Sequence, residues 1–431
     1  MTDPRTYLDK EKMSRLQIIV VAITTLLNAI DGFDVLSISF AAPGIAKEWG
    51  TTQAALGIVM SMELIGMAIG SFILGGVADR IGRRRTLLGC LVVMTGGMLL
   101  VTTAANAIQL SIWRVLVGLG IGGILACVNA VVAEFSSVKR RGLCISIMVI
   151  GYPLGGTFGG MLASYLLQGH DWRAIFYFGA IITGVCVPLV FFLVPESIPW
   201  LCQKRPQSAL EKINATLAGM KFPPVETLPE IQSQGEKKSI SSIFSPSLIA
   251  VTLLMTAAYF LHITTFYFIL KWSPKIVADM GFAPALAGGV LVWANLGGAI
   301  GGAIFGWLTT RIELKKLTIV IMLLTSIFVA LFGRTSADLD QIKMLAAFAG
   351  FFGNAGISGL YSILAIAFPT QVRATGSGFV IGIGRAGAVI SPILAGVLFQ
   401  FGAGLPTVAL VMGLGSLLAG LVLAFFKIRM T

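Results

Sequence analysis

Apolar residues along the chain gather into long runs broken by short polar stretches. A run of roughly 20 mainly apolar residues is what a helix needs to cross the hydrocarbon core of a bilayer. Runs of this kind predict helical spans at 18–41, 53–77, 87–107, 110–133, 143–168 and 173–195, and again at 247–271, 284–308, 316–333, 343–367, 374–400 and 405–426. Between the sixth and seventh the pattern fails, because Lys204-Arg205-Pro206, Pro223-Pro224 and Glu236-Lys237-Lys238 interrupt any apolar run. Residues 196–246 therefore read as a water-exposed linker with a short amphipathic helix near 207–219. The expected organisation is an N-terminal segment 1–17, a six-helix bundle 18–195, the linker, a second six-helix bundle 247–426 and a tail 427–431.

The two halves repeat. Gly75-Gly76-Val77-Ala78-Asp79-Arg80-Ile81 aligns with Gly306-Trp307-Leu308-Thr309-Thr310-Arg311-Ile312, which sets Arg84-Arg85 opposite Lys315-Lys316. Val138-Lys139 and Gly142 align in the same way with Val372-Arg373 and Gly376. Repeated halves of six spans are a signature of secondary transporters, with the substrate site expected at their interface near the bilayer midplane.

Composition agrees with the pattern. Hydrophobic residues make up 56% and charged residues 12% of the 431 positions, against roughly 25% charged in a soluble domain. Fifty-one glycines suit helices whose backbones pack closely in lipid. The formal charge of +12 would suggest nucleic-acid binding in a soluble protein. Here most of the basic residues fall in the N-terminal segment, the loops after even-numbered spans, the linker and the tail. By the positive-inside rule these segments are cytoplasmic, with both termini inside. Residues 1–17 are polar and no small-residue cleavage site follows the first apolar run, so no removable signal peptide is expected.

Several functions are excluded by what the residues lack. The five cysteines form no CxxC pair, so neither a zinc site nor a disulfide framework is indicated. Two histidines give little from which to build an enzyme site. No phosphate-binding GxxxxGK[ST] loop occurs, which argues against a primary pump. The expectation is an all-α, monomeric membrane protein, not an enzyme, with no cofactor and no metal. Its energy would come from an ion gradient or from the substrate's own gradient.

Charges inside spans are costly and mark candidate chemistry. Asp31 and Asp34 share one face of span 1. Arg114, roughly 6 Å inside span 4 at 1.5 Å per residue, could reach the depth of Asp34 and form a switchable ion pair with it. Arg385 falls near the middle of span 11, where only an acidic partner or an anionic substrate would keep it; its planar fork suits a carboxylate. Glu63, midway along span 2, is either a second protonatable group or the counter-charge of Arg385. His262 in span 7 titrates near physiological pH, though a lone membrane histidine also serves well as a hydrogen-bonded packing residue. Glu134, at the end of span 4, is expected to pair with the basic loops. Phe33, Tyr152, Phe266, Tyr267, Trp293 and Tyr361 could stack on an aromatic ring. Asn129, Asn295 and Asn354 could hydrogen-bond its hydroxyls.

The motifs resemble those of the major facilitator superfamily. Gly75-x-Val77-Ala78-Asp79-Arg80-x-Gly82-Arg83-Arg84 is similar to its loop 2–3 motif, Arg114-x-x-x-Gly118-x-Gly120-x-Gly122-Gly123 to its helix 4 motif, and Pro195-Glu196-Ser197-x-Pro199-Trp200-Leu201 to the end of its helix 6. Asp31-Gly32-Phe33-Asp34, Arg373-Ala374-Thr375-Gly376 and Gly382-Ile383-Gly384-Arg385 resemble the aromatic acid:proton symporters within it. Thr310 stands where an aspartate is usual, and Glu63 where a small or apolar residue is. The resemblance implies proton-coupled import of benzoate, hydroxybenzoates, protocatechuate or related acids through a bacterial inner membrane. It includes the ring-opened dicarboxylate muconate, for which Arg114 or His262 would supply a second cation. An exporter of organic acids or drugs with the same fold is the other reading. Proton coupling is expected through Asp31, Asp34, Arg114 and Glu63. Substrate contacts would come from Arg385, Phe33, Tyr152, His262, Tyr267, Trp293, Asn295 and Tyr361. A conformational latch would be built from Gly75, Asp79, Arg80, Arg83, Arg84 and Glu134.

Overall fold

A computed structural model describes residues 3–8, 12–229, 240–369 and 372–425. Among these residues it contains helices and no strands. Twelve helices are long and apolar enough to cross a membrane. The first six are α1 (Arg15–Trp49), α2 (Gln53–Ile81), α3 (Arg83–Thr102), α4 (Ala107–Phe135), α5 (Arg141–Leu166) and α6 (Arg173–Leu193). The second six are α7 (Ile249–Asp279), α8 (Pro284–Leu308), α9 (Leu314–Phe332), α10 (Leu339–Ala367), α11 in two pieces (Arg373–Gly384 and Ala386–Gln400) and α12 (Leu405–Phe425). Short helices Pro4–Leu8, Ile198–Lys204 and Ala209–Gly219 lie outside the twelve. The linker residues Glu236, Lys237 and Lys238 and the tail 427–431 fall outside the described residues.

Two helices overrun the apolar runs that predict them. α1 continues through Pro43 to Trp49, and α7 through Pro274 to Asp279. In a bilayer, neighbouring helices and local adjustments supply what an internal proline removes from the hydrogen-bond ladder, so it need not end the helix. α1 starts at a capping box, with Ser14 Oγ accepting from Gln17 N–H at 3.3 Å and Gln17 Oε1 accepting from Ser14 N–H at 2.8 Å. The Gln17 amide also donates to the Phe135 carbonyl at 2.9 Å, tying the start of α1 to the end of α4.

Glycine sets how close the helices come, and it does so alike in both halves. In the first bundle, a Cβ on Gly66, Gly70, Gly118 or Gly122 would overlap a backbone carbonyl across the α2–α4 crossing. In the second, Gly297, Gly301 and Gly350 stand in the same relation across α8–α10. Helices in lipid lack a hydrophobic drive to associate, so close backbone approach through small residues supplies much of the contact energy.

The bundles meet at one end of the molecule. α2 packs on the second piece of α11, where Ser61 Oγ donates to the Val389 carbonyl at 2.7 Å and Ala54 N–H to Gln400 Oε1 at 3.2 Å. α5 packs on α8 through Gly156, which faces Asn295, and Gly160, which faces Val292. These contacts lie toward the end that carries the Gly50–Thr52 loop. The first piece of α11 packs on α7 and α10. Between described residues, no hydrogen bond or ion pair joins the two bundles at the linker end. The bundles are thus joined, and the space between them closed, at the Gly50 end.

At this packing density an added methyl is felt. Gly118→Ala should destabilise the protein by about 1–3 kcal/mol through overpacking. Gly76→Ala, where a Cβ meets nothing within 4 Å, should be neutral. Melting in detergent, followed by size exclusion of heated samples, compares the two; equal melting would show that the α2–α4 crossing can relax.

Candidate functional site

The buried charges collect around Glu63. Gly118, one turn along α4 from Arg114, lies directly against the backbone of Glu63, so the tight α2–α4 crossing brings the two side chains together. Arg114 Nη2 donates to Glu63 Oε2, and both side chains are 0% exposed. The same guanidinium donates to Ser37 Oγ at 3.2 Å and to the Asp34 main-chain carbonyl at 3.2 Å, and lies 5.4 Å from the centre of the Phe176 ring. The ion pair expected between Arg114 and Asp34 is therefore not formed. Arg114 takes the Glu63 carboxylate and only the backbone of Asp34. Nor is Glu63 the counter-charge of Arg385.

A third member of this cluster escaped the sequence reading. Lys271 of α7, also fully buried, donates through Nζ to the Val35 carbonyl of α1 and sits 3.8 Å from Glu63 Oε2. The apolar run of span 7 ends at Lys271, which places it on paper at the water boundary. Two further turns of α7, through Lys275 and Asp279, carry it inside. The signal that could have found it is the i, i+4 pair of Lys275 and Asp279 just beyond. Such a pair supports continued helix.

Asp31 and Asp34 are buried on α1. Neither Asp34 carboxylate oxygen, nor Asp31 Oδ1, has a hydrogen-bond partner. Asp31 lies within electrostatic reach of Arg385 and Glu63, and Asp34 of Glu63, Arg114 and Asp31. Arg385 occupies the single-residue break in α11. It is partly exposed, and among the described residues no carboxylate lies within ion-pair distance of it. Tyr259, Tyr267 and Tyr361 lie within electrostatic reach of it. Tyr259 and Tyr361 hydroxyls are 3.1 Å apart, and Tyr152 of α5 lies within electrostatic reach of Tyr267 of α7 and of Arg385. One turn beyond Arg385, Val389 already touches Ser61, so Arg385 marks the closed end of the cavity. Three buried acids, Asp31, Asp34 and Glu63, thus face three cations, Arg114, Lys271 and Arg385.

Other candidates lie elsewhere. Phe33 packs edge-on against Phe178 at 5.3 Å and covers Gly159, inside the first bundle. Trp293 is 47% exposed and recurs at seven-residue spacing on α8 with Leu286, Ile300 and Trp307, all exposed, an apolar stripe of the kind that faces lipid. His262 is sealed in the second bundle, Nδ1 2.9 Å from Ser416 Oγ and Nε2 2.8 Å from the Gly353 carbonyl. Both its nitrogens are committed, so it packs and offers no cation to the cavity. Asn295 lies at the α5–α8 contact with its amide bonded to the Leu291 carbonyl. Asn354 donates to the Gly298 carbonyl, Asn129 to the Leu125 carbonyl, and Phe266 packs on Gly353.

At the linker end, Arg83 bridges Asp79 at 2.5 Å and Glu134 at 3.4 Å. Arg84 donates to the Phe191 carbonyl and lies over its ring, Arg80 is exposed, and Gly75 makes ordinary contact with Ala126. The organising residue here is Glu196. Its Oε1 accepts from the N–H groups of Arg83 at 2.8 Å, Arg84 at 3.2 Å and Ser197 at 3.1 Å, which places a negative charge on the α3 N-terminus. Gly82 must be glycine, because its φ of 110° is left-handed and a Cβ would overlap the Glu196 carboxylate. These contacts all stay within the first bundle and its short following helix.

Residues 24–333 and 255–430 match the Major Facilitator Superfamily. Together the two matches cover most of the chain, and the chain belongs to that family. Among its relatives, the gallate transporter of Pseudomonas putida is 29% identical over 97% of this chain and 94% of the relative. The 4-hydroxybenzoate transporter PcaK of Pseudomonas putida is 28% identical over 90% and 87%. The 3-(3-hydroxy-phenyl)propionate transporter of Escherichia coli is 28% identical over 95% and 93%. In fold, the chain is similar to the inward-open xylose transporter XylE from E. coli, with a TM-score of 0.70, 17% identity and coverage of 95% and 96%. It is a multi-pass membrane protein whose relatives are aromatic acid transporters.

The two acids on α1 and α2 should differ in structural weight. Arg114→Met leaves Glu63 buried with only the more distant Lys271 and should cost about 3–5 kcal/mol. Asp34→Asn, which breaks no side-chain hydrogen bond, should cost far less. Melting of the purified variants compares them, and equal losses would contradict the assigned Glu63–Arg114 pairing.

Proposed function

We propose that the protein imports a small aromatic carboxylate together with a proton by alternating access. In this reading it lies in a bacterial inner membrane with its linker in the cytoplasm. The observation that carries the proposal is Arg385, a cation without a carboxylate in ion-pair contact among the described residues, near the closed end and within electrostatic reach of three tyrosines. A guanidinium fork accepts a carboxylate through two parallel hydrogen bonds. Tyr152, Tyr267 and Tyr361 add ring faces for stacking and hydroxyls for ring substituents. The relatives named above carry substrates of this chemical class.

Coupling follows from the position of Asp31. A substrate carboxylate and an ionised Asp31 both draw on the charge of Arg385. An anion on Arg385 and a proton on Asp31 therefore favour one another, and this mutual preference is a coupling free energy. Asp34 and Glu63 extend the acidic side of the cluster. The same geometry argues for a monoacid over muconate. A second carboxylate would want a second free cation, but Arg114 and Lys271 face Glu63, and His262 is bonded on both sides.

In proteoliposomes with an alkaline interior, benzoate, 4-hydroxybenzoate or protocatechuate should accumulate in proportion to the pH gradient, and muconate should not. Asp31→Asn should abolish accumulation while leaving exchange of labelled for unlabelled acid. Arg385→Lys should weaken binding by roughly tenfold or more through loss of the bidentate fork. Absence of pH-dependent uptake for every acid would overturn the reading, and unchanged affinity in Arg385→Lys would remove Arg385 from the binding site.

A further inference from the structure

The charge that nothing above uses is Lys271. A fully buried lysine in a membrane helix is retained only where it has partners, and both partners of this one lie on the other bundle. Its Nζ reaches across from α7 to the Val35 carbonyl of α1 and to Glu63 of α2. Lys275, one turn along, turns instead to Asp279 of its own helix. Like the α2–α11 hydrogen bonds of Ser61 and Ala54, the Lys271 contacts are polar links between the bundles at the closed end. Val35, which accepts from Lys271, is one turn along α1 from Asp31.

The two partners of Glu63 differ in what a rocking motion does to them. Arg114 belongs to the same bundle as Glu63 and stays with it. Lys271 must leave Glu63 and Val35 when the Gly50 end opens, and there it gains water. The closed state is thus favoured only while Glu63 carries a charge that holds Lys271 in place. We propose that Lys271 is a latch that makes opening of the Gly50 end depend on the charge of Glu63. With Glu63 neutral, the buried ammonium loses its carboxylate and drives that end open to regain solvent. The groups facing Glu63 are Asp31 and Asp34 from α1, Arg114 from α4 and Lys271 from α7, and of the two cations only Lys271 crosses between bundles. The proposal rests on the alternating-access reading, but its test needs no substrate.

Spin labels at Gln168, after α5, and Ala283, before α8, report the separation of the bundles at this end in a background lacking the native cysteines. Both positions are exposed. Glu63→Gln should raise the open-to-closed ratio by roughly tenfold or more, within the range of measured coupling effects. Adding Lys271→Met to Glu63→Gln should bring the ratio back to near its starting value, because no buried ammonium then remains to be hydrated. Adding Lys275→Met instead should not. If Glu63→Gln fails to fold, Glu63→Asp withdraws the carboxylate from Lys271 while still facing Arg114, and should open the same end to a smaller degree. No opening in the folded Glu63 variant, or opening that Lys271→Met does not reverse, would overturn the latch. Failure of every acid in the uptake assay would instead overturn the proposed function and leave this result standing.

Discussion

A charge held away from water must be matched nearby, and the interior of this protein is arranged around that constraint. Moving an ion out of water costs several kcal/mol even after the surroundings relax. Glu63 is the point at which the matching is tightest: one carboxylate, fully buried, faces a guanidinium from its own bundle and an ammonium from the other. With Asp31, Asp34 and Arg385 the cluster holds three acids and three bases drawn from α1, α2, α4, α7 and α11. Each charge is tolerable because of the others. A change in one, by proton, anion or movement, therefore alters the balance for the rest.

The glycine contacts make this cluster possible. Gly118 lets α4 approach the backbone of Glu63, and Gly32 sets α1 against the backbone of Tyr152 on α5. Without those approaches, Arg114 would not reach Glu63, nor would the Tyr152 hydroxyl lie beside Tyr267 and Arg385. Between the bundles the polar contacts gather at one end, where Gly57 and Gly396 let α2 and α11 approach backbone to backbone. Bundles joined at one end suit domains that rock as units about a central site.

Much of the fold was legible in the sequence because hydropathy in a membrane is a one-dimensional signal. Twelve runs, a polar interval and an internal repeat suffice for twelve helices in two sets of six, and the family match agrees. Partners were harder to read, because pairing depends on which helix faces which. The Asp34–Arg114 pair looked natural from depth alone, yet the α2–α4 glycine seam hands Arg114 to Glu63. Lys271 was lost at the end of an apolar run that the helix itself outlasts. Trp293 and Phe33 had the right chemistry for a ring-binding site, but one faces lipid and the other the interior of its own bundle. Arg385 was legible as a mid-span cation, but its tyrosine neighbours come from α7 and α10 and could not be read from its own helix.

The central claim is that a proton and an aromatic carboxylate share one charge cluster and so travel together. The most direct measurement is the pH inside proteoliposomes, reported by a trapped dye, when 4-hydroxybenzoate is added outside with no gradient imposed. The account predicts internal acidification that requires the protein, saturates with the acid and disappears in Asp31→Asn. Entry of the labelled acid at the same rate, with no acidification beyond that of protein-free vesicles, would contradict it.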